Sequence, residues 1–261
     1  RITDNAVADK TPALAQLGTG ESTLLWSQQQ PDLSVLNGRE ILASTSTNGT
    51  SFGTPVVLTN DTVSDYYPTI TPTGGTTSEA VAAFTTFDRT FNESNVTNPG
   101  DIYPHGEIRI ARLTEPGWQS PTFLTNNTAF DFRPTVASHG DNWTIAWTRD
   151  KDGNLSTWSD RAVVYVRYNE SGPVGPVRSV EQARSPRLTT VDGTTRLTYL
   201  DMASNATSGQ LVIGSLQPGQ SAPVEQANYS VRNLTDLTAA NDTIVWTTTS
   251  GEPWAQVADT E

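Results

Sequence analysis

The stretch Ser51–Ile70, SFGTPVVLTNDTVSDYYPTI, returns without a gap as GWQSPTFLTNNTAFDFRPTV at Gly117–Val136, with eight of twenty positions identical. Its second half returns again at the start of the chain, as RITDNAVADKTPAL. A self-match of this kind signals a repeat architecture, in which each repeat is one supersecondary unit that buries its apolar face against the next.

Working outward from the repeated stretch, every unit has the same grammar. An opening proline starts a first strand at Pro12, Pro68, Pro134 and Pro186, with a fifth, proline-free start near Leu234. A turn rich in Gly, Asp or Asn follows, then a short alternating run that ends in an aromatic: Trp26, Phe84, Trp147, Tyr199 or Trp246. These runs have period two and no helical periodicity. A third run (Ile41–Ala43, Ile108–Ile110, Val163–Val166, Leu211–Ile213, Trp254–Val257) and a fourth (Pro55–Leu58, Pro121–Leu124, Val177–Val180, Val224–Gln226) complete the unit. Four short antiparallel strands in about 50 residues read as a propeller blade.

The expected fold is therefore all-β: a single five-bladed β-propeller domain over residues 1–261. The blades fall at about 12–59, 68–125, 134–180, 186–227 and 233–261, the last completed by residues 1–5. The fifth unit stops after its third strand, and the first residues match a fourth strand. Arg1–Asp4 are thus expected to add to the strand at Trp254–Val257 and close the ring, which hides the edge strands.

The hairpin Thr45-Ser46-Thr47-Asn48-Gly49-Thr50-Ser51-Phe52 resembles the Asp-box of sialidase-like, neuraminidase-type propeller repeats, as in haloarchaeal secreted or surface proteins. It keeps the glycine and the closing aromatic, with Thr47 where the family has Asp. The second unit keeps Gly117-Trp118. The resemblance implies a propeller fold. It implies no sialidase activity, because the box is a folding element and the arginine cluster and tyrosine nucleophile of such enzymes match no motif here.

The formal net charge is −12, and two lysines stand against fourteen arginines. Nucleic acid and anionic membrane are poor partners for such a chain. Acidic, lysine-poor, Ser/Thr-rich composition suits very salty media, so a halophilic archaeal source is expected. No cysteine is present, which removes disulfides and thiol chemistry. No apolar window approaches the length of a membrane span.

Of sixteen asparagines, twelve open an Asn-x-Ser/Thr triplet: Asn48, Asn60, Asn92, Asn95, Asn126, Asn142, Asn154, Asn169, Asn205, Asn228, Asn233 and Asn241. Chance gives about four, and the triplet is the N-glycan acceptor of exported chains. Export to the cell surface or medium, with N-linked glycans attached, is the expectation.

Candidate chemistry is sparse. Asp9, Asp65 and Asp131 each stand three residues before an opening proline. They read either as carboxylates at a channel mouth or, because they repeat, as caps of their own turns. Asp150-Lys151-Asp152-Gly153-Asn154 looks like part of a calcium loop, with Asp150, Asp152 and Asn154 as ligands. An Asp-Gly-Asn hairpin tip is the alternative reading, since the bidentate Glu is missing. No other cofactor motif can be read. The insertion at residues 86–106 carries Asp88, Arg89, Glu93, Tyr103 and His105; it reads as a groove wall beside Trp158 and Asp160 or as a mobile, glycan-bearing loop. His139 is the other histidine, on the opposite face. The five aromatics read as packing between blades.

Two function classes fit these residues. The preferred one is a non-enzymatic, glycosylated surface module for binding, adhesion or assembly, whose partners are surface glycans, proteins or its own copies in a filament or lattice. The other is a secreted glycoside hydrolase with Asp65 and Asp131 as its carboxylate pair and Glu93 as an acid.

Overall fold

The computed structural model describes residues 2–74, 77–202, 208–217, 219–232, 234–240, 243–248 and 254–257. Among these residues the chain is all-β, arranged as five antiparallel sheets in sequence order. The first holds β1 (Asp9–Gln16), β2 (Ser22–Gln29), β3 (Arg39–Ser46) and β4 (Val56–Val57), paired in that order. The second holds β5 (Asp65–Pro72), β6 (Ala80–Phe87), β7 (Gly106–Thr114), β8 (Gly117–Trp118) and β9 (Thr122–Phe123), with β8 and β9 both pairing β7. The third repeats that plan with β10 (Phe130–His139), β11 (Asn142–Asp150), β12 (Arg161–Asn169), β13 (Gly172–Pro173) and β14 (Arg178–Glu181). The fourth holds β15 (Ala183–Val191), β16 (Thr194–Asp201), β17 (Ser208–Ser215) and β18 (Val224–Arg232). The fifth holds β19 (Leu234–Ala240), β20 (Thr243–Thr248) and β21 (Trp254–Val257). Among the described residues no helix is long and apolar enough to cross a membrane.

The chain divides into two compact units, Arg1–Pro134 with Lys151–Asn154, and Thr135–Asp150 with Leu155–Glu261. In the first unit, Leu25, Ile41 and Ala43 of one sheet pack with Ala82, Phe84 and Ala111 of the next. Three alanines around one phenylalanine let the two sheets approach closely. The second unit has two clusters, one around Tyr165, Leu197 and Tyr199 and one around Leu211, Leu237 and Trp246. All five repeated aromatics are buried, as packing requires and as a carbohydrate platform would not.

The opening prolines sit inside their strands. Register slips between Lys10 and Ala13, between Tyr66 and Thr69, and between Arg184 and Arg187. Each slip lifts one residue and its following proline out of the ladder, so the missing proline N–H leaves no gap in it. The residue before each proline is left-handed: Thr11, Tyr67, Arg133 and Ser185 have φ of 50°, 52°, 53° and 57°. That conformation costs an L-residue roughly 1–2 kcal/mol. A buried hydroxyl on a middle strand compensates: Arg133 N donates to Thr85 Oγ1 at 3.0 Å, and Ser185 N donates to Thr148 Oγ1 at 3.1 Å. Strands therefore begin before their prolines, and the repeated aspartates belong to them or directly precede them.

Ile2–Asp4 lie outside any strand, and the last sheet has three strands among the described residues. Local bonds fold this segment back on β1: Thr3 Oγ1 donates to Asp9 Oδ2 at 2.6 Å, and Asn5 Oδ1 accepts from Val7 N at 3.2 Å. In the Asp-box-like hairpin, Asn48 does the organising. Its Oδ1 accepts from Thr50 N and Ser51 N at 2.9 and 2.8 Å, one residue after the place of the family's Asp.

Replacing Thr148 with valine keeps the shape and removes the acceptor for the left-handed Ser185. Urea denaturation of Thr148→Val is expected to show a loss of about 1–2 kcal/mol. Unchanged stability would show that this bulge does not need its hydroxyl.

Candidate functional site

The turn that carries the chain from one sheet to the next occurs twice in the first unit with the same bonds. Ile41 N donates to Thr59 Oγ1 and Ile108 N donates to Thr125 Oγ1, both at 2.8 Å. Asp61 N donates to Glu40 Oε1 at 3.2 Å, and Asn127 N donates to Glu107 Oε1 at 2.5 Å. Asp61 Oδ1 then accepts from Val63 N at 3.0 Å, and Asn127 Oδ1 accepts from Ala129 N at 2.8 Å. The glutamates are the second residues of β3 and β7, and each meets the aspartate that starts the next sheet, Asp65 or Asp131. All four of these acids have no exposed surface.

The two junctions differ in one atom group. Asn127 Nδ2 donates to Asp131 Oδ2 at 2.7 Å and to Glu107 Oε2 at 3.3 Å, so one amide ties both buried carboxylates together. Its counterpart is Asp61, which has no donor to offer. Glu40, Asp61 and Asp65 instead bring three carboxylate oxygens within 4.8 Å of one another. Asp61 Oδ2 takes Arg109 Nη1 at 2.9 Å. Glu40 Oε2 and both oxygens of Asp65 make no hydrogen bond of normal geometry among the described residues.

Burial dominates the electrostatics. It pushes the Glu40 carboxyl up to about 8, with the Thr59 hydroxyl drawing it back and Asp65 and Asp61 raising it further. It pushes Asp65 up to about 7, against the pull of the Thr86 and Thr59 hydroxyls and Arg109. Glu107 is raised by burial and drawn back by the backbone N–H of Asn127. At the third junction both acids are absent together: Ala162 and Ala183 stand at those positions and are buried.

The aspartate column thus splits into unlike environments. Asp9 is exposed and accepts from Trp26 Nε1 at 3.1 Å and Gln28 Nε2 at 2.7 Å. Asp65 faces two acids, and Asp131 faces the Asn127 amide. Asn5, Asp61 and Asn127, four residues earlier, cap the turns. That second column was visible in the repeat as Asn5, Asp61 and Asn127, and the Asp among two Asn was the signal.

Glu93 is exposed in a single 3-10 turn, Glu93–Asn95. Its insertion is held by side chains: Asn37 brackets Phe91 with two bonds of 2.7 and 2.6 Å, and His105 Nδ1 meets Asp88 at 3.1 Å. Tyr103, Phe130 and Phe132 stack with centroids 4.7 and 4.5 Å apart. Trp158 packs against the cluster around Leu211. Of the calcium-loop residues, Asp150 is buried with its Oδ2 on Arg161 Nε at 3.0 Å. Asp152 Oδ1 accepts from Asn154 N at 2.8 Å, with Gly153 between them at φ 68°. In the second unit, two open clefts of 300 and 330 Å³ share Arg167, Val174, Leu216 and Gln217.

No family model and no curated protein sequence matches the chain. Solved structures do. A PL25 polysaccharide lyase, an ulvan lyase, superposes with a TM-score of 0.63 at 12% identity, over 94% of this chain and 63% of that one. A protein of unknown function from Dyadobacter fermentans gives 0.59 at 10% identity, over 92% and 74%. Trypanosoma rangeli sialidase bound to the inhibitor DANA gives 0.55 at 9% identity, over 84% of this chain and 38% of that one. These neighbours are sialidase-like and other propeller folds, and the chain shares their all-β organisation. The chain spans well under half of the sialidase's length, and at these identities the likeness shows the fold alone.

A carboxyl raised by burial stays protonated in the folded state at a pH where the unfolded chain has released its proton. Stability is therefore full below the unfolded value and falls as pH rises through the folded one. In buffer with EDTA, stability is expected to fall between pH 4.5 and about 8, the window set by Glu40. The loss is on the order of a few kcal/mol. Glu40→Gln should flatten this fall; an equal slope in the variant would place the titration elsewhere.

Proposed function

We propose that the chain is a five-bladed, N-glycosylated propeller module of an exported surface protein from a halophilic archaeon, acting by binding or assembly rather than by catalysis. The observation that carries the non-catalytic reading is the burial of Asp65 and Asp131. A glycoside hydrolase needs its two carboxyls open to the sugar on either side of the scissile bond. Here both are enclosed, and Asp131 is already held by the Asn127 amide.

The sequons support export. Nine of the twelve lie among the residues with assigned exposure; Asn48, Asn60, Asn92, Asn95, Asn126, Asn154 and Asn228 are exposed, and Asn142 and Asn169 are half-buried. Asn205, Asn233 and Asn241 lie outside the described residues. The nine described acceptors all reach solvent, which suits glycan attachment. The likeness to a polysaccharide lyase and a sialidase gives the hydrolase reading a fold and no site.

Two measurements test the proposal. Glycopeptide mass spectrometry of the protein from a glycosylating halophilic host is expected to find glycans on most of the seven exposed sites; bare peptides throughout would remove the glycoprotein reading. A panel of aryl glycosides and sialosides is expected to show no turnover. Turnover abolished by Asp65→Asn or Asp131→Asn would establish the hydrolase instead.

A further inference from the structure

The three junctions differ in what faces their buried acids. At the second junction two buried carboxylates share one amide donor. At the third the acids are replaced by alanines. At the first, both buried acids remain, the amide is gone, and a third carboxylate stands in its place. A buried carboxylate without a compensating partner is costly. Asp65 is wholly enclosed; the Thr86 and Thr59 hydroxyls and Arg109 draw it toward its charged form, yet neither of its oxygens makes a hydrogen bond of normal geometry among the described residues. The Glu40 Oε2 atom is likewise enclosed and unbonded. Arg109 reaches Asp61, not the enclosed pair, and one guanidinium does not balance three carboxylates.

We propose that Glu40, Asp61 and Asp65 bind one divalent cation of the calcium class, at the place where the second junction uses the Asn127 amide. Three oxygens within 4.8 Å of one another let a single ion sit about 2.3–2.6 Å from each. The ligands come from a strand, a turn and the next strand, which gives an irregular set. Calcium accepts such geometry, whereas magnesium demands a near-ideal octahedron. The Asp61 side chain is 38% exposed and gives the ion a way in from solvent. The bound ion joins β3 of the first sheet to β5 of the second, so its role is to fasten one sheet to the next. This goes beyond the proposed function and does not rest on it.

The test is a calcium titration of chelator-treated full-length protein at neutral pH, followed by calorimetry and by melting temperature. The wild type is expected to show saturable binding and a higher melting temperature with calcium. Asp61→Asn and Glu40→Gln each replace an acid by a neutral isostere and relieve repulsion, so both should fold. Both are expected to weaken the binding at least tenfold, and Asp152→Asn, at the hairpin tip, to leave it unchanged. No saturable calcium binding by the wild type would mean that protons alone neutralise the cluster, and would overturn the proposal. Binding that survives Asp61→Asn and Glu40→Gln, or that Asp152→Asn removes, would overturn it equally.

Discussion

A proline inside an inner strand removes a ladder donor, and the first two sheets are arranged around the answer to that problem. The bulge takes the proline and the residue before it out of register. The left-handed residue turns the strand, and at the same place in the third and fourth sheets a hydroxyl from a middle strand closes the exposed N–H of Arg133 and Ser185. The strand then starts ahead of the bulge, so its first aspartate reaches back beneath the third strand of the preceding sheet. There it meets a glutamate. The buried acid pair follows from the backbone device.

Enclosing two acids forces a choice of what neutralises them, and the three junctions make different choices. Asn127 supplies an amide, Ala162 and Ala183 dispense with the charges, and Asp61 adds a third carboxylate beside Arg109. Repetition inside one chain gives each junction the others as a reference, which isolates the Asn-to-Asp difference from the rest of the geometry. Asp65, nominated from sequence as a catalytic carboxylate, becomes a fastening group on this account.

The repeated string made the five strand sets and the buried aromatics legible, because period-two runs and turn residues act locally. It placed Asp65 and Asp131 at equivalent positions correctly. Three things were hidden. The bulge was hidden because a proline reads as a strand start, when a left-handed residue can precede it inside the strand. The Glu40–Asp65 contact was hidden because it joins positions 25 residues apart in different sheets, and no local pattern records which third strand lies above which first strand. The Thr3–Asp9 and Val7–Asn5 bonds were hidden because a match to a fourth strand in sequence says nothing about bonds made locally. The bond from Arg161 to Asp150, eleven residues apart, was hidden in the same way.

The central claim is that the first junction is completed by an ion and the second by an amide. Crystals grown in calcium and measured near an absorption edge where calcium scatters anomalously test it most directly. The account predicts one anomalous peak about 2.3–2.6 Å from oxygens of Glu40, Asp61 and Asp65, and none between Glu107, Asn127 and Asp131. An empty first junction, or a peak at the second, would contradict it.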